Sequence, residues 1–141
     1  MTDFDDVTTD AAVKTYESTT GVFSALLREV RELSKKKPDA TLSASKVKLI
    51  NNVLSDMLTI LESEPEGKYL QALEDEDLPQ VSDALMMMVQ FDAVLDAFKG
   101  RYFKYIRSGY ATGNNFWITK EQLAAWEAEE AALDSEDSDD C

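Results

Sequence analysis

Histidine is absent from this chain, and its one cysteine is Cys141. That shortage removes Ser-His-Asp and Cys-His nucleophile systems, zinc sites built on paired histidines, and the Glu-x-x-His helices of ferritin-like di-iron bundles. It also leaves no intrachain disulfide and no Cys-x-x-Cys pair, which predicts a cytoplasmic protein. Long apolar runs are missing as well. ALMMMV is cut off by Gln90 and Asp92, well short of the roughly 18 to 20 residues of a membrane span. The segment MTDFDDVTTD is acidic where a secretory leader needs a basic start and an apolar middle, so neither leader nor membrane association is expected. No Gly-rich phosphate loop, Pro-rich linker, internal repeat or convincing β-strand stands out.

What is present is a chain of 141 residues, 44% of them hydrophobic, enough for one domain with a substantial core. The formal charge is −14, and it is unevenly placed. Residues 1–10 hold four acids and residues 121–141 hold nine, with no base in either segment. Residues 11–120 carry 15 acids against all 14 bases, so the body is close to neutral. The ends therefore read as solvated acidic tails, at 1–10 and 135–141, around a single helical domain at 11–134. A sharper reading makes DSEDSDDC a decoy for a basic or nucleic-acid-binding partner.

Apolar side chains at Val13, Tyr16, Phe23, Leu26, Leu27, Val30 and Leu33 recur at helical spacing and predict a first helix from about Ala12 to Lys36. Lys35, Lys36 and Lys37 suit its C-terminal carbonyls, and Pro38 stops it. A second helix, capped near Ser43 or Ser45, carries Val47, Ile50, Val53, Leu54, Met57, Leu58 and Leu61 on one face and ends at Pro65. EGKYLQAL reads as a short helical piece offering Tyr69, Leu70 and Leu73 to the core. A long fourth helix is expected from Pro79 to about Arg107, with a possible kink at Gly100, followed by the loop SGYATGNN. The fifth starts at Lys120 behind a T-x-x-Q capping box of Thr119 and Gln122, with Ile118 and Leu123 as a hydrophobic staple. Leu123, Trp126 and Leu133 form its docking stripe. The expected fold is thus an all-α bundle of four to five helices with a long central fourth helix and disordered acidic ends.

That fourth helix is apolar nearly all round, the pattern of a buried element or an interface. Ala84, Leu85, Met88, Phe91, Leu95, Phe98, Tyr102, Phe103 and Ile106 make one broad arc, and Met86, Met87, Ala93, Val94, Ala97 and Tyr105 lie on the other side; of these, Met86, Met87, Val94 and Tyr105 form the best candidate surface. Methionine adapts to irregular partners, so these four are the candidate partner-binding residues. Asp92 and Asp96, one turn apart with Lys99 beyond, are the candidate metal pair or, more simply, a structural ion-pair cluster. Lys99, Arg101, Lys104 and Arg107 alternate with Tyr102, Phe103, Tyr105 and Tyr110 as a nucleic-acid strip would, but the excess acids oppose a polyanion and the aromatics match the helix core, so direct nucleic-acid binding is not expected.

The leading expectation is a noncatalytic protein-interaction module, an adaptor, inhibitor or immunity-type protein, that binds a partner protein or forms a homodimer through a helix surface. It needs no cofactor and no metal. The alternatives are an Mg-dependent all-α hydrolase of a phosphorylated small molecule, using carboxylates alone, and the acidic decoy.

Overall fold

The protein is mostly helical, and its structure, a computed structural model, describes residues 6–107 and 113–139. Four α-helices occur among the described residues: α1 (Asp10–Lys36), α2 (Ala44–Leu61), α3 (Val81–Tyr102) and α4 (Lys120–Asp139). A short 3-10 turn (Pro65–Tyr69) follows α2, and two strands, β1 (Phe103–Ile106) and β2 (Asn114–Trp117), stand between α3 and α4. Residues divide into two units, Lys14–Phe98 and a second made of residues 1–13 and 99–141.

In Lys14–Phe98, α1 and α3 meet through aromatic side chains. Tyr16 stacks on Phe98 with ring centroids 5.7 Å apart, and Phe23 meets Phe91 at 6.5 Å. Seven residues separate the two positions on each helix, so the helices run antiparallel in a fixed register. Phe23, Leu54, Met57, Met88, Phe91 and Phe98 are almost wholly excluded from water. The α1–α2 connection is pinned by backbone pairing to the segment ahead of α3. Leu42 N–H donates to Pro79 C=O at 2.9 Å, and Val81 and Ser82 N–H donate to Ala40 and Pro38 C=O at 2.8 and 3.0 Å. Two of the unpaired donors at the α3 N-terminus are thereby satisfied. The same pairing corrects the expected start at Pro79: its carbonyl belongs to the bridge, and α3 begins at Val81.

α2 begins as expected, with the Ser43 hydroxyl accepting from Lys46 N–H at 3.3 Å. The chain then doubles back over its C-terminal end. A Cβ at Gly67 would strike the Leu61 carbonyl oxygen, so only glycine fits there. EGKYLQAL was expected to be helical throughout. The 3-10 turn stops at Tyr69, and residues 70–73 are non-helical, with the backbone groups of Leu73 taken up by a partner on α2. Asn51 on α2 donates through Nδ2 to Leu73 C=O and accepts from Leu73 N–H, both at 2.8 Å, which seats Leu70 and Leu73 in the core.

The second unit corrects the all-helical expectation. β1 and β2 pair antiparallel, with Phe103 opposite Trp117 and Ile106 opposite Asn114. FKYI fits a helical period and a strand equally well, but its aromatic and β-branched residues favour the strand. The helix expected to reach Arg107 therefore ends at Tyr102. Asn114 and Asn115 of the expected loop belong to β2, while 108–112 lie outside the described residues.

Thr8 forms an isolated parallel bridge with Thr119, donating to Ile118 C=O at 3.0 Å and accepting from Lys120 N–H at 2.9 Å. Thr9 caps α1 through Ala12 N–H at 3.1 Å, and Asp10 N–H reaches the Glu121 carboxylate at 3.1 Å. Residues 8–10, expected to be part of a tail, are thus held by backbone pairing. Residues 1–5, 140 and 141 of the expected tails lie outside the described residues.

The Thr119 cap on α4 is present, accepting from Gln122 N–H at 3.0 Å. α4 continues to Asp139, past the break expected after Asp134. Its Ala- and Glu-rich run AAWEAEEAAL has high intrinsic helix propensity and needs little packing. Of its expected stripe, Leu123 and Trp126 are half-buried, but Leu133 is 62% exposed.

The Asn51 clamp yields a test. Asn51→Ala leaves a backbone donor and an acceptor of Leu73 without partners and is expected to cost about 2 kcal/mol. Urea unfolding of the variant against the parent chain measures it; an unchanged midpoint and slope would show that the clamp contributes nothing.

Candidate functional site

The seven buried positions of α3 within Lys14–Phe98 are Val81, Ala84, Met88, Phe91, Val94, Leu95 and Phe98. They form one wide inward face. The opposite side carries Ser82, Met86, Val89, Ala93 and Ala97 at spacings of four, three, four and four, which places them in one row along the helix. None of them is charged. Met86 is 67% exposed and Val89 is 40% exposed, with Ala93 and Gln90 also exposed and Ser82 and Ala97 half-buried. A solvated helix face normally carries charges. Here the charges stand only at the flanks, Asp83 three residues before Met86 and Asp96 seven after Val89, both exposed; between them a methionine and a valine stand in water, and such a surface gains by being covered.

The four candidate partner residues are distributed differently from the expectation. Met86 is in the exposed row, whereas Met87, half-buried, is spaced three, four and seven residues from the buried Ala84, Phe91 and Val94 and so falls on the inward side of the helix. Val94 is 6% exposed and belongs to the core, so it is withdrawn from the surface. The inward arc is wider than the one drawn on the helical wheel and includes its position. Tyr105 is 63% exposed but lies in β1 of the other unit, with its ring against Gly113 where any Cβ would collide with it. The sequence reading missed Val89. The signal that could have found it was the missing charge at five successive row positions.

Asp92 and Asp96 share the surroundings of Tyr16 on α1. Asp92 is half-buried and Asp96 exposed. The Tyr16 phenol titrates above its ordinary value of 10.0, chiefly because burial disfavours the phenolate; the Thr20 hydroxyl opposes the shift, and the negative charges of Asp96 and Asp92 add to it. No group of three or more cysteine, aspartate or glutamate side chains is placed to hold a metal ion among the described residues. Lys99, the expected ion-pair partner, has its ammonium over the Phe103 ring, 5.3 Å from the centroid. Lys104 donates to Gly100 C=O at 2.9 Å, as a cation at a helix C-terminus does. The aromatics of the basic stretch are likewise engaged: Phe103 packs on Trp117 with centroids 5.0 Å apart. Tyr110 lies outside the described residues.

A groove of about 360 Å³ opens between the last turns of α1 and the start of α2, walled by Leu26, Val30, Leu33, Leu42, Leu49 and Ile50. Glu29, Glu32, Lys36 and Lys46 complete its lining. No described helix is long and apolar enough to cross a membrane. Compared with protein-family models, curated proteins and solved structures, the chain matches none.

The Tyr16 environment predicts an alkaline signature. Below pH 10 the phenol is protonated in both folded and unfolded chains, so its contribution is intact. As pH rises through 10 the unfolded chain ionises first, and stability falls until the folded phenol also titrates. Tyr16→Phe is expected to lose less stability than the parent between pH 9 and pH 11, by urea unfolding at each pH. Phenolate absorbance should show a late-titrating component that is lost in the variant. Equal alkaline losses in both proteins would refute the assignment.

Proposed function

We propose that the protein is a noncatalytic interaction module of the adaptor, inhibitor or immunity type, acting in the cytoplasm through the outward face of α3. In this reading the helices of Lys14–Phe98 form a bundle with α3 as its central helix, one side in the core and the other offered to a partner protein or to a second copy. Met86 remains from the expected partner set, and Val89 and Ala93 join it. The observation that carries the reading is the exposure of Met86 and Val89 side by side on the outward face of α3, with charges only at its flanks.

Apolar burial at about 25 cal/mol per Å² rewards covering such a row, and methionine supplies side chains that repack against different shapes. The carboxylate pair supports catalysis less well, because Asp92 and Asp96 have no third acidic neighbour that would complete a metal site among the described residues.

The test replaces exposed residues only. Met86→Glu with Val89→Glu should leave helicity and melting temperature within a few degrees of the parent, since surface changes away from special features usually shift stability by no more than about 0.5 kcal/mol. The same change should abolish association, read by sedimentation for self-association and by capture from the native lysate for a heterologous partner. A folded double variant with every association of the parent overturns the proposal.

A further inference from the structure

The α1–α2 groove is a second surface, in the same unit but on different helices from the proposed α3 face. Its floor is Val30, Leu42 and Ile50, which are buried, and its walls are Leu26 and Leu33, half-buried, and Leu49, 53% exposed. Leu49 is therefore a large side chain in water beside an apolar cleft, where covering it costs no polar group its hydration. A cleft of about 360 Å³ has room for a few apolar side chains.

Charge separates this region from most of the chain. Residues 26–50 hold seven bases (Arg28, Arg31, Lys35, Lys36, Lys37, Lys46, Lys48) and three acids (Glu29, Glu32, Asp39) in a protein of net charge −14. Of the two acids in the lining, Glu32 is already bonded to Lys35 at 3.1 Å. Lys36 and Lys46 stand on the lining with no ion pair to another described residue. Glu29 stands about one turn further than Glu32 from the α1–α2 connection, so at the end nearest it Lys36 and Lys46 are the charges left to meet a partner.

We propose that this groove docks an acidic amphipathic helix of a partner protein, with two or three apolar side chains seated between Leu26, Leu33 and Leu49 and carboxylates beside Lys36 and Lys46. An amphipathic helix presents apolar anchors at i, i+3 or i+4 and i+7, and its polar flank carries the charge that meets the rim. A membrane would need apolar side chains that protrude, whereas Val30, Leu42 and Ile50 lie at the bottom of a concavity. Single-stranded nucleic acid would need aromatic faces for stacking, and the groove lining has none. The assignment does not depend on the α3 face, so a monomeric chain or an inert Met86 leaves it standing.

Fluorescence anisotropy tests it with the full chain and a labelled synthetic 18-residue helix made of repeated Leu-Leu-Glu-Glu. The controls are one peptide with lysine for every glutamate and another with alanine for every leucine. The acidic leucine peptide should bind at least tenfold more tightly than either control, and more weakly as salt rises. Leu49→Glu should weaken it at least tenfold, and Lys36→Glu with Lys46→Glu at least threefold. Both variants change exposed residues, and circular dichroism verifies that they fold; Leu49→Ser replaces Leu49→Glu if that one does not. Equal binding of the lysine peptide, or binding indifferent to Leu49 and to both lysines, overturns the proposal. So does binding to phosphatidylserine vesicles that depends on the same residues when the peptide does not bind.

Discussion

Lys14–Phe98 depends on the seam where Phe23 meets Phe91 and Tyr16 stacks on Phe98. Large aromatic side chains bury some 150–250 Å² each, and their ring geometry adds selectivity to that burial. Two such contacts, two helical turns apart on both helices, fix direction, rotation and register together. Once α3 is rotated to place Phe91 and Phe98 on α1, Met88, Ala84 and Leu95 must lie inward, and Met86, Val89 and Ala93 must lie outward. The exposed row is therefore a consequence of the core register. The same seam carries Tyr16 close enough to Asp92 and Asp96 for their charges to act on its phenol.

Much of this was legible because helical periodicity is a local property. The stripes of α1 and α2, the Ser43 and Thr119 caps, and the stops around Pro38 and Pro65 all follow from residues within a turn or two of one another. What was illegible depends on partners distant in sequence. Residues 70–73 have a helical apolar spacing, yet Asn51 takes up the Leu73 backbone groups that a helix would have used. FKYI has a spacing that suits either conformation, and the choice is made by pairing with NNFW, more than ten residues away. Val94 failed for another reason. A helical wheel gives angles but not the width of the buried arc, which is set by how many neighbours close over the helix.

The segment before α1 shows how charge alone misleads. Four acids in the first ten residues describe a solvated tail, yet Thr8 exchanges two backbone hydrogen bonds with the chain around Thr119. Threonine is a good strand residue, and two hydrogen bonds to a backbone already held by the Thr119 cap offset the cost of ordering one extended residue. Glu121 then serves two helix N-termini: it stands in the first turn of α4, and its carboxylate accepts from Asp10 N–H at the start of α1. An acid counted as part of a repulsive excess is, in the folded chain, a favourable partner for unpaired amide donors.

Charge separation within the sequence gives the two proposed surfaces different rules of recognition. The α3 row has charges only at its flanks, Asp83 and Asp96, so in the proposed contact its affinity would rest mainly on shape and apolar area. The α1–α2 groove has Lys36 and Lys46 on its lining, so in the proposed docking these would attract carboxylates at short range, an attraction that salt screens, while the net charge of the chain opposes any acidic partner at a distance. Both surfaces would reward apolar side chains, and the difference in selection rests on charge: carboxylates would gain from Lys36 and Lys46 and would be disfavoured beside Asp83 and Asp96. Two surfaces with independent selection can hold two different partners on one small chain. Of the adaptor, inhibitor and immunity-type readings, the adaptor is the one that makes use of both.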